Sequence, residues 1–227
     1  MLRRLLSWTC FALLVATAQQ SQAGPCQLWY NGDPDGTNGL ANSVNAGWAD
    51  SRIYEDFVVS PNCPVICAVY SDNFMNFTAT SAAWEIRTDV GPGTGGTLVA
   101  SGTGAATQTP NGLILLGHTG YTIKVDVNVS LAPGTYWLSV APIGQGVGES
   151  FLATTLGANA VGAPIQNNNA VIDSVLFSIS WTPMGDLGLP TDYSMGVYAV
   201  PEPSSLVILG IGGGLLGLNL VRRRRAK

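Results

Sequence analysis

The chain has 227 residues and a formal net charge of −4; charged residues make up only 11%, while Gly (28) and Pro (13) are plentiful. So little Glu, Lys and Arg excludes a body of long amphipathic helices and favours short strands between turns. The charge is uneven: residues 24–200 keep thirteen of the fourteen acids against Arg52, Arg87 and Lys124 alone, a net charge of −10. Such a body repels nucleic acid and anionic lipid.

The first predicted element is a targeting segment. Met1-Leu2-Arg3-Arg4 precedes a mainly apolar run over 5–16, and Ser21-Gln22-Ala23 puts small residues at −3 and −1 of a cut before Gly24. That three-part order predicts a secretory signal peptide over 1–23. Ala16-Thr17-Ala18 offers a second cut. The apolar run is short for a membrane span.

Cys10 leaves with that peptide, so the mature body holds an odd set: Cys26, Cys63 and Cys67. Export to an oxidising compartment favours disulfides. Cys63-Pro64-Val65-Ile66-Cys67 closes a small loop, and Cys63–Cys67 is the favoured bridge; either residue could instead reach Cys26. Three cysteines and one distant histidine fit no usual zinc spacing.

Asn31-Gly32-Asp33-Pro34-Asp35-Gly36 sets Asn31, Asp33 and Asp35 on alternate positions before a bending glycine, the first half of an oxygen-ligand loop for Ca2+. The closing acid is missing: Asn42 stands there, and Asp50, Glu55 or Asp56 would have to complete the set. The same residues also suit a polar Asx/Gly turn. No other cofactor is expected.

Strands are predicted at 53–59, 65–71, 76–80, 83–88, 97–101, 121–129, 135–141, 150–155, 171–181 and 193–200, and a short helix is possible near 39–45. The alternation is clearest at 121–129, where Tyr121, Ile123, Val125, Val127 and Val129 share one face. Ala132-Pro133-Gly134 turns into the next strand, read as its hairpin partner. Nine or ten short strands without a convincing helix predict an all-β fold, an antiparallel β-sandwich of jelly-roll-like form.

Candidate chemistry in the body is thin. His118 is the only histidine, in a loop without a nucleophile elbow, and reads as a solvated residue. Glu55/Asp56 and Glu85/Asp89 supply acids for glycoside hydrolysis, but Glu85 beside Arg87 reads as a surface ion pair. Trp29, Tyr30, Trp48, Trp84, Tyr136, Trp137 and Trp181 include possible sugar-stacking platforms. Trp137, on the face opposite Tyr136 and Leu138, is the solvent-side candidate.

The tail begins with Val200-Pro201-Glu202-Pro203, where two prolines hold the chain extended. An apolar run over 206–221 follows, barely long enough to cross a bilayer and interrupted only by Asn219. Arg222, Arg223, Arg224 and Arg225 come next and act as a membrane stop on the cytoplasmic side. Gly212-Gly213-Gly214-Leu215-Leu216-Gly217 matches a dinucleotide fingerprint in letters only, because the chain ends ten residues later.

Pro-Glu-Pro, short apolar helix, Arg cluster and chain end, in that order, resemble the PEP-CTERM sorting domain, whose tails exosortases are thought to recognise and process. The body is similar to PEP-CTERM proteins of unknown function at Leu28-Trp29-Tyr30-Asn31-Gly32-Asp33, Asp35-Gly36-Thr37-Asn38-Gly39-Leu40-Ala41-Asn42, Trp84-Glu85-Ile86-Arg87 and Ala132-Pro133-Gly134-Thr135-Tyr136-Trp137-Leu138. The implied layout is a signal peptide (1–23), a β-sandwich domain (24–199) and a sorting signal (200–227) with a transmembrane helix. The resemblance implies an exosortase partner, transient anchoring in the inner membrane, and delivery to the cell surface or extracellular space. For the body, the leading expectation is a non-enzymatic structural or adhesive protein associated with exopolysaccharide, matrix or biofilm. A carbohydrate-binding module is the alternative. A hydrolase would require a cleft holding two acids, or His118 beside an acid.

Overall fold

A computed structural model describes residues 26–61 and 63–200. The signal-peptide segment, Pro201-Glu202-Pro203, the apolar run and the four arginines lie outside the described residues. Among the described residues no helix is long and apolar enough to cross a membrane.

The body is all-β, one curled sheet of thirteen strands in which every strand pair is antiparallel. In chain order these are β1 (Cys26–Tyr30), β2 (Pro34–Ala41), β3 (Ser51–Val59), β4 (Val65–Met75), β5 (Ser81–Thr88), β6 (Thr97–Leu115), β7 (His118–Ser130), β8 (Gly134–Pro142), β9 (Ser150–Thr155), β10 (Val171–Ser174), β11 (Ile179–Pro183), β12 (Asp192–Tyr193) and β13 (Met195–Val200). The path runs β1-β13-β4-β7-β6-β5-β8-β3-β10-β11, and β9 joins β4 while carrying β2 and β12. A single 3-10 turn spans Met184–Leu187.

The curl has a local origin in β6. Its first half, from Thr97 to Ala105, pairs with β5, and its second half, from Ala106 to Leu115, pairs with β7. One long strand therefore hands the sheet from one half to the other. Trp29 on β1, Phe57 on β3, Val69 on β4, Ile86 on β5, Ile123 on β7 and Leu138 on β8 all enter one core cluster. Trp29 and Phe57, seven strands apart along the path, meet at 5.9 Å between ring centroids. Trp29 is fully buried, and its Nε1 donates to Pro164 O at 2.9 Å, so its one polar atom is satisfied.

Four expectations need correction. β7 and β8 are not a hairpin: β7 pairs with β4 and β6, and β8 with β3 and β5. Ala132-Pro133-Gly134 is a crossing between the two halves, held by the Tyr136 hydroxyl donating to Ala132 O at 2.9 Å. Residues 76–80 are a bend, because Gln108 takes the ladder's place: its Oε1 accepts from Ala79 N and its Nε2 donates to Phe77 O. Residues 39–45 are the end of β2 and two bridges, not a helix. The predicted strand at 171–181 is two strands, broken at a turn where Ser178 takes φ +55°.

Candidate functional site

A cleft of about 560 Å³ is lined by residues of β1, β13, β4 and β7. Its floor is built by register. Gly196 on β13 stands opposite Tyr30 on one side and Tyr70 on the other. With no side chain between them, the two rings close to 5.7 Å between centroids, and Tyr198 packs on Tyr70 at 5.4 Å. A Cβ on Gly196 would lie 2.5 Å from Tyr70 Cζ, so the stack requires glycine. Gln27, Asp33, Asp72, Thr122 and Lys124 complete most of the polar lining.

The polar groups are organised by one another. Gln27 Nε2 donates to the Tyr70 hydroxyl, and the Tyr30 hydroxyl donates to Asp33 Oδ1 at 3.0 Å. Asn159 Nδ2 donates to Asp33 Oδ2 at 2.6 Å. Asp72 is 3% exposed; Thr122 Oγ1 donates to its Oδ1 at 2.5 Å, and Ser194 Oγ lies 2.7 Å from its Oδ2. Ser194 Oγ also lies 2.7 Å from Gly32 O. The Ser194 hydroxyl thus faces two acceptors. Burial pushes the Asp72 carboxyl up, against the opposing hydrogen bonds. Burial also raises the Tyr30 and Tyr70 hydroxyls, which stay protonated and able to donate.

The Asn31, Asp33 and Asp35 side chains do not converge. Asn31 is buried and its Nδ2 donates to Tyr193 O at 3.3 Å, Asp33 serves Tyr30 and Asn159, and Asp35 Oδ1 accepts from Thr37 N, Thr37 Oγ1 and Thr154 Oγ1. Among the described residues no group of three His, Cys, Asp or Glu is placed to hold a metal ion. Asp35 closes an Asx turn on Thr37.

The Cys63–Cys67 bridge is not formed. All three cysteines are free thiols, and Cys63 Sγ faces Cys26 Sγ at 4.0 Å. From Val65 the chain is already extended, which carries Cys67 away from Cys63 at about 3.3 Å per residue. Trp137 is half-buried on the face opposite Tyr136 and Leu138, and it is not among the residues lining the cleft. Of the aromatic residues expected as sugar platforms, only Tyr30 lines that cleft; its companions Tyr70 and Tyr198 carry no local signal in the sequence.

His118 is not a solvated loop residue. It opens β7, lies edge-on to Phe151 at 5.2 Å, and places Nε2 3.1 Å from Glu149 Oε2. Glu85 is likewise more than a surface partner. Arg87 Nε donates to its Oε2 at 2.7 Å, the Tyr54 hydroxyl donates to the same oxygen at 3.0 Å, and the Arg87 guanidinium lies 4.8 Å over the Trp181 ring. Burial alone would raise Glu85, but Arg87, Arg52 and Tyr54 hold its carboxyl below the usual range. Glu55 is buried, with Oε1 accepting from Tyr193 N at 2.6 Å and Oε2 without a partner. Burial, then the nearby Asp192, pushes its carboxyl well up.

No curated protein and no solved structure matches this chain, and these comparisons lend no support to the expected likeness of the body to other PEP-CTERM proteins. Residues 199–225 match the PEP-CTERM protein-sorting motif. The match covers Pro201-Glu202-Pro203, the apolar run and all four arginines. The chain therefore carries a PEP-CTERM protein-sorting motif, and with it the address of an exported protein that an exosortase sorts to the surface or the extracellular space.

Proposed function

We propose that this is an adhesive matrix protein whose β body, a jelly-roll-like sandwich, holds an uncharged polysaccharide in the tyrosine-lined cleft. The stack of Tyr30, Tyr70 and Tyr198 carries this reading. Tyr30 and Tyr198, the half-buried rings of the stack, offer apolar faces to the C–H faces of a sugar, while Gln27 and Lys124 offer hydrogen bonds to its hydroxyls. The net charge of −10 over the body disfavours uronic-acid or sulfated chains. Delivery to the outside brings the cleft to where such polymers are. Transient anchoring through the tail helix before processing belongs to the same reading.

The test is affinity electrophoresis of the exported protein through gels containing dextran, a β-glucan or alginate. Retardation by a neutral glucan but not by alginate is expected, and Tyr198→Ala should weaken it about tenfold, the loss of roughly 1.4 kcal/mol. No retardation by any neutral polymer, or an unchanged Tyr198→Ala variant, refutes the reading.

One observation favours a second reading. Asp33 and Asp72 give the cleft two acids, and burial raises the Asp72 carboxyl, the direction in which a glycoside hydrolase's general acid is shifted. Binding is preferred because the oxygens of both carboxyls are engaged by neighbouring side chains. New reducing ends from a retained polymer, abolished by Asp72→Asn, would decide for hydrolysis.

A further inference from the structure

The corner of the sheet where β1 begins gathers the three cysteines of the body. Cys26 is the first residue of β1, Cys63 lies two residues before β4, and Cys67 is on β4 at a register irregularity against β7. Within this group the Cys26 and Cys63 sulfurs are the facing pair, at 4.0 Å. β1 is an edge strand whose one strand partner is β13, and that pairing is itself irregular between Gln27 and Trp29. It nonetheless supplies two walls of the cleft, Gln27 and Tyr30. An edge strand next to the chain terminus frays unless something ties it down.

We propose that Cys26 and Cys63 are joined by a disulfide after export, and that Cys67 remains a thiol. Shortening the sulfur separation to a bond of about 2.05 Å requires roughly 1 Å of travel by each side chain. The reaction removes one proton and one electron from each thiol. A protein disulfide donor of the thiol-oxidase class, in the oxidising compartment that export reaches, takes up the pair. One cysteine thiolate attacks the donor's disulfide and forms a mixed disulfide. The other thiolate then displaces the donor as a dithiol, and the Cys26–Cys63 bond closes. The bridge spans 37 positions of sequence and encloses β2 and β3. It pins the open edge of the sheet to the entry of β4, and with it one wall of the cleft. The inference rests on export and not on what the cleft binds.

The test uses the full chain expressed with its own signals and recovered from the exported fraction. Free thiols are alkylated without reduction, the protein is digested and the peptides are fragmented. Trypsin leaves Cys63 and Cys67 on one peptide, because no Lys or Arg lies between Arg52 and Arg87. The fragment ions must therefore place the alkyl group. The expected product links Cys26 to Cys63 and carries the alkyl group on Cys67. A bridge involving Cys67, or three alkylated cysteines, overturns the proposal. As a second measurement, Cys26→Ser and Cys63→Ser should each lower the melting temperature by roughly 10 °C, the loop-closure effect for a span of this length, and the double variant by no more than either. Reductant should bring the parent to the same value, and without reductant Cys67→Ser should keep the parent's oxidised stability. Single variants that melt with the oxidised parent sink the idea even where a bridge is detected.

Discussion

Gly196→Ala tests how the cleft is built. Gly196 does not sit in the left-handed region, so its backbone accepts alanine, and the obstacle is Tyr70. The added Cβ would lie 2.5 Å from Tyr70 Cζ and 2.7 Å from Cε1. Tyr70 cannot retreat freely, because Tyr30 and Tyr198 flank its ring and Gln27 holds its hydroxyl. Inserting a methyl group into such packing costs about 1–3 kcal/mol. Stiffening the unfolded chain returns about 0.4–1 kcal/mol, which leaves a net loss of up to about 2.6 kcal/mol, near 1.3 kcal/mol at mid-range. For a body of this size the mid-range value is a drop of roughly 3–5 °C in melting temperature. Replacing Tyr70 with Leu removes the hydroxyl and the ring carbons that the new methyl meets. In a Tyr70→Leu background, Gly196→Ala should therefore keep only the unfolded-state gain, a coupling of about 1–3 kcal/mol between residues in direct contact. Urea denaturation of the four proteins, followed by tryptophan fluorescence, measures the cycle. An equal cost of Gly196→Ala in both backgrounds would show that the glycine serves something other than the tyrosine stack.

Two further predictions concern the buried acid and the tail. Glu55 is raised in the folded state, so the native protein binds its proton more tightly than the unfolded chain does. Stability from this group is therefore full below the unfolded carboxylate range and is lost as pH rises through the folded value, with a slope approaching about 1.4 kcal/mol per pH unit. Glu55→Gln keeps an acceptor for Tyr193 N and cannot ionise. Urea midpoints from pH 5 to pH 8 should fall less steeply for the variant, and parallel curves would remove Glu55 as the source. For the tail, mass spectrometry of the mature C-terminus should find the four arginines absent from protein recovered outside exosortase-competent cells and retained where the exosortase gene is deleted. An intact tail in both would refute processing at this motif.

What the sequence made legible is what is encoded locally. The strand at 150–155 is legible to the residue, and alternation marks the strand core at 121–129. Long-range and glycine-rich features are not legible. Gly102 and Gly104 read as turn residues, yet they lie inside β6, where a Cβ would meet the Trp84 ring at 3.0 Å and Val125 Cγ1 at 2.5 Å. Their meaning depends on neighbours that only the folded sheet brings to them. The segment Asn31 to Gly39 reads as a loop by composition, but Pro34–Ala41 becomes β2 because β9 supplies its ladder. The hairpin error has the same root: alternation says which side of a strand is buried and is silent about which strand lies beside it.

The cleft shows this limit most plainly. Tyr30, Tyr70 and Tyr198 are each one ordinary aromatic in one strand, and the ligand-loop pattern beside Tyr30 does not point to a tyrosine stack. They become a stack only because β13 inserts between β1 and β4, putting Gly196 opposite both Tyr30 and Tyr70. That pairing joins residues about 165 positions apart to neighbours 40 positions apart, which no local pattern encodes. The tail is the opposite case. Its three parts are contiguous and act through composition and order: extended prolines, an apolar run and a charge stop. The address of this protein was therefore readable from one end of the chain, whereas its site depends on the register of three strands. The single position that joins them, Gly196, is where the proposed function is most exposed to disproof.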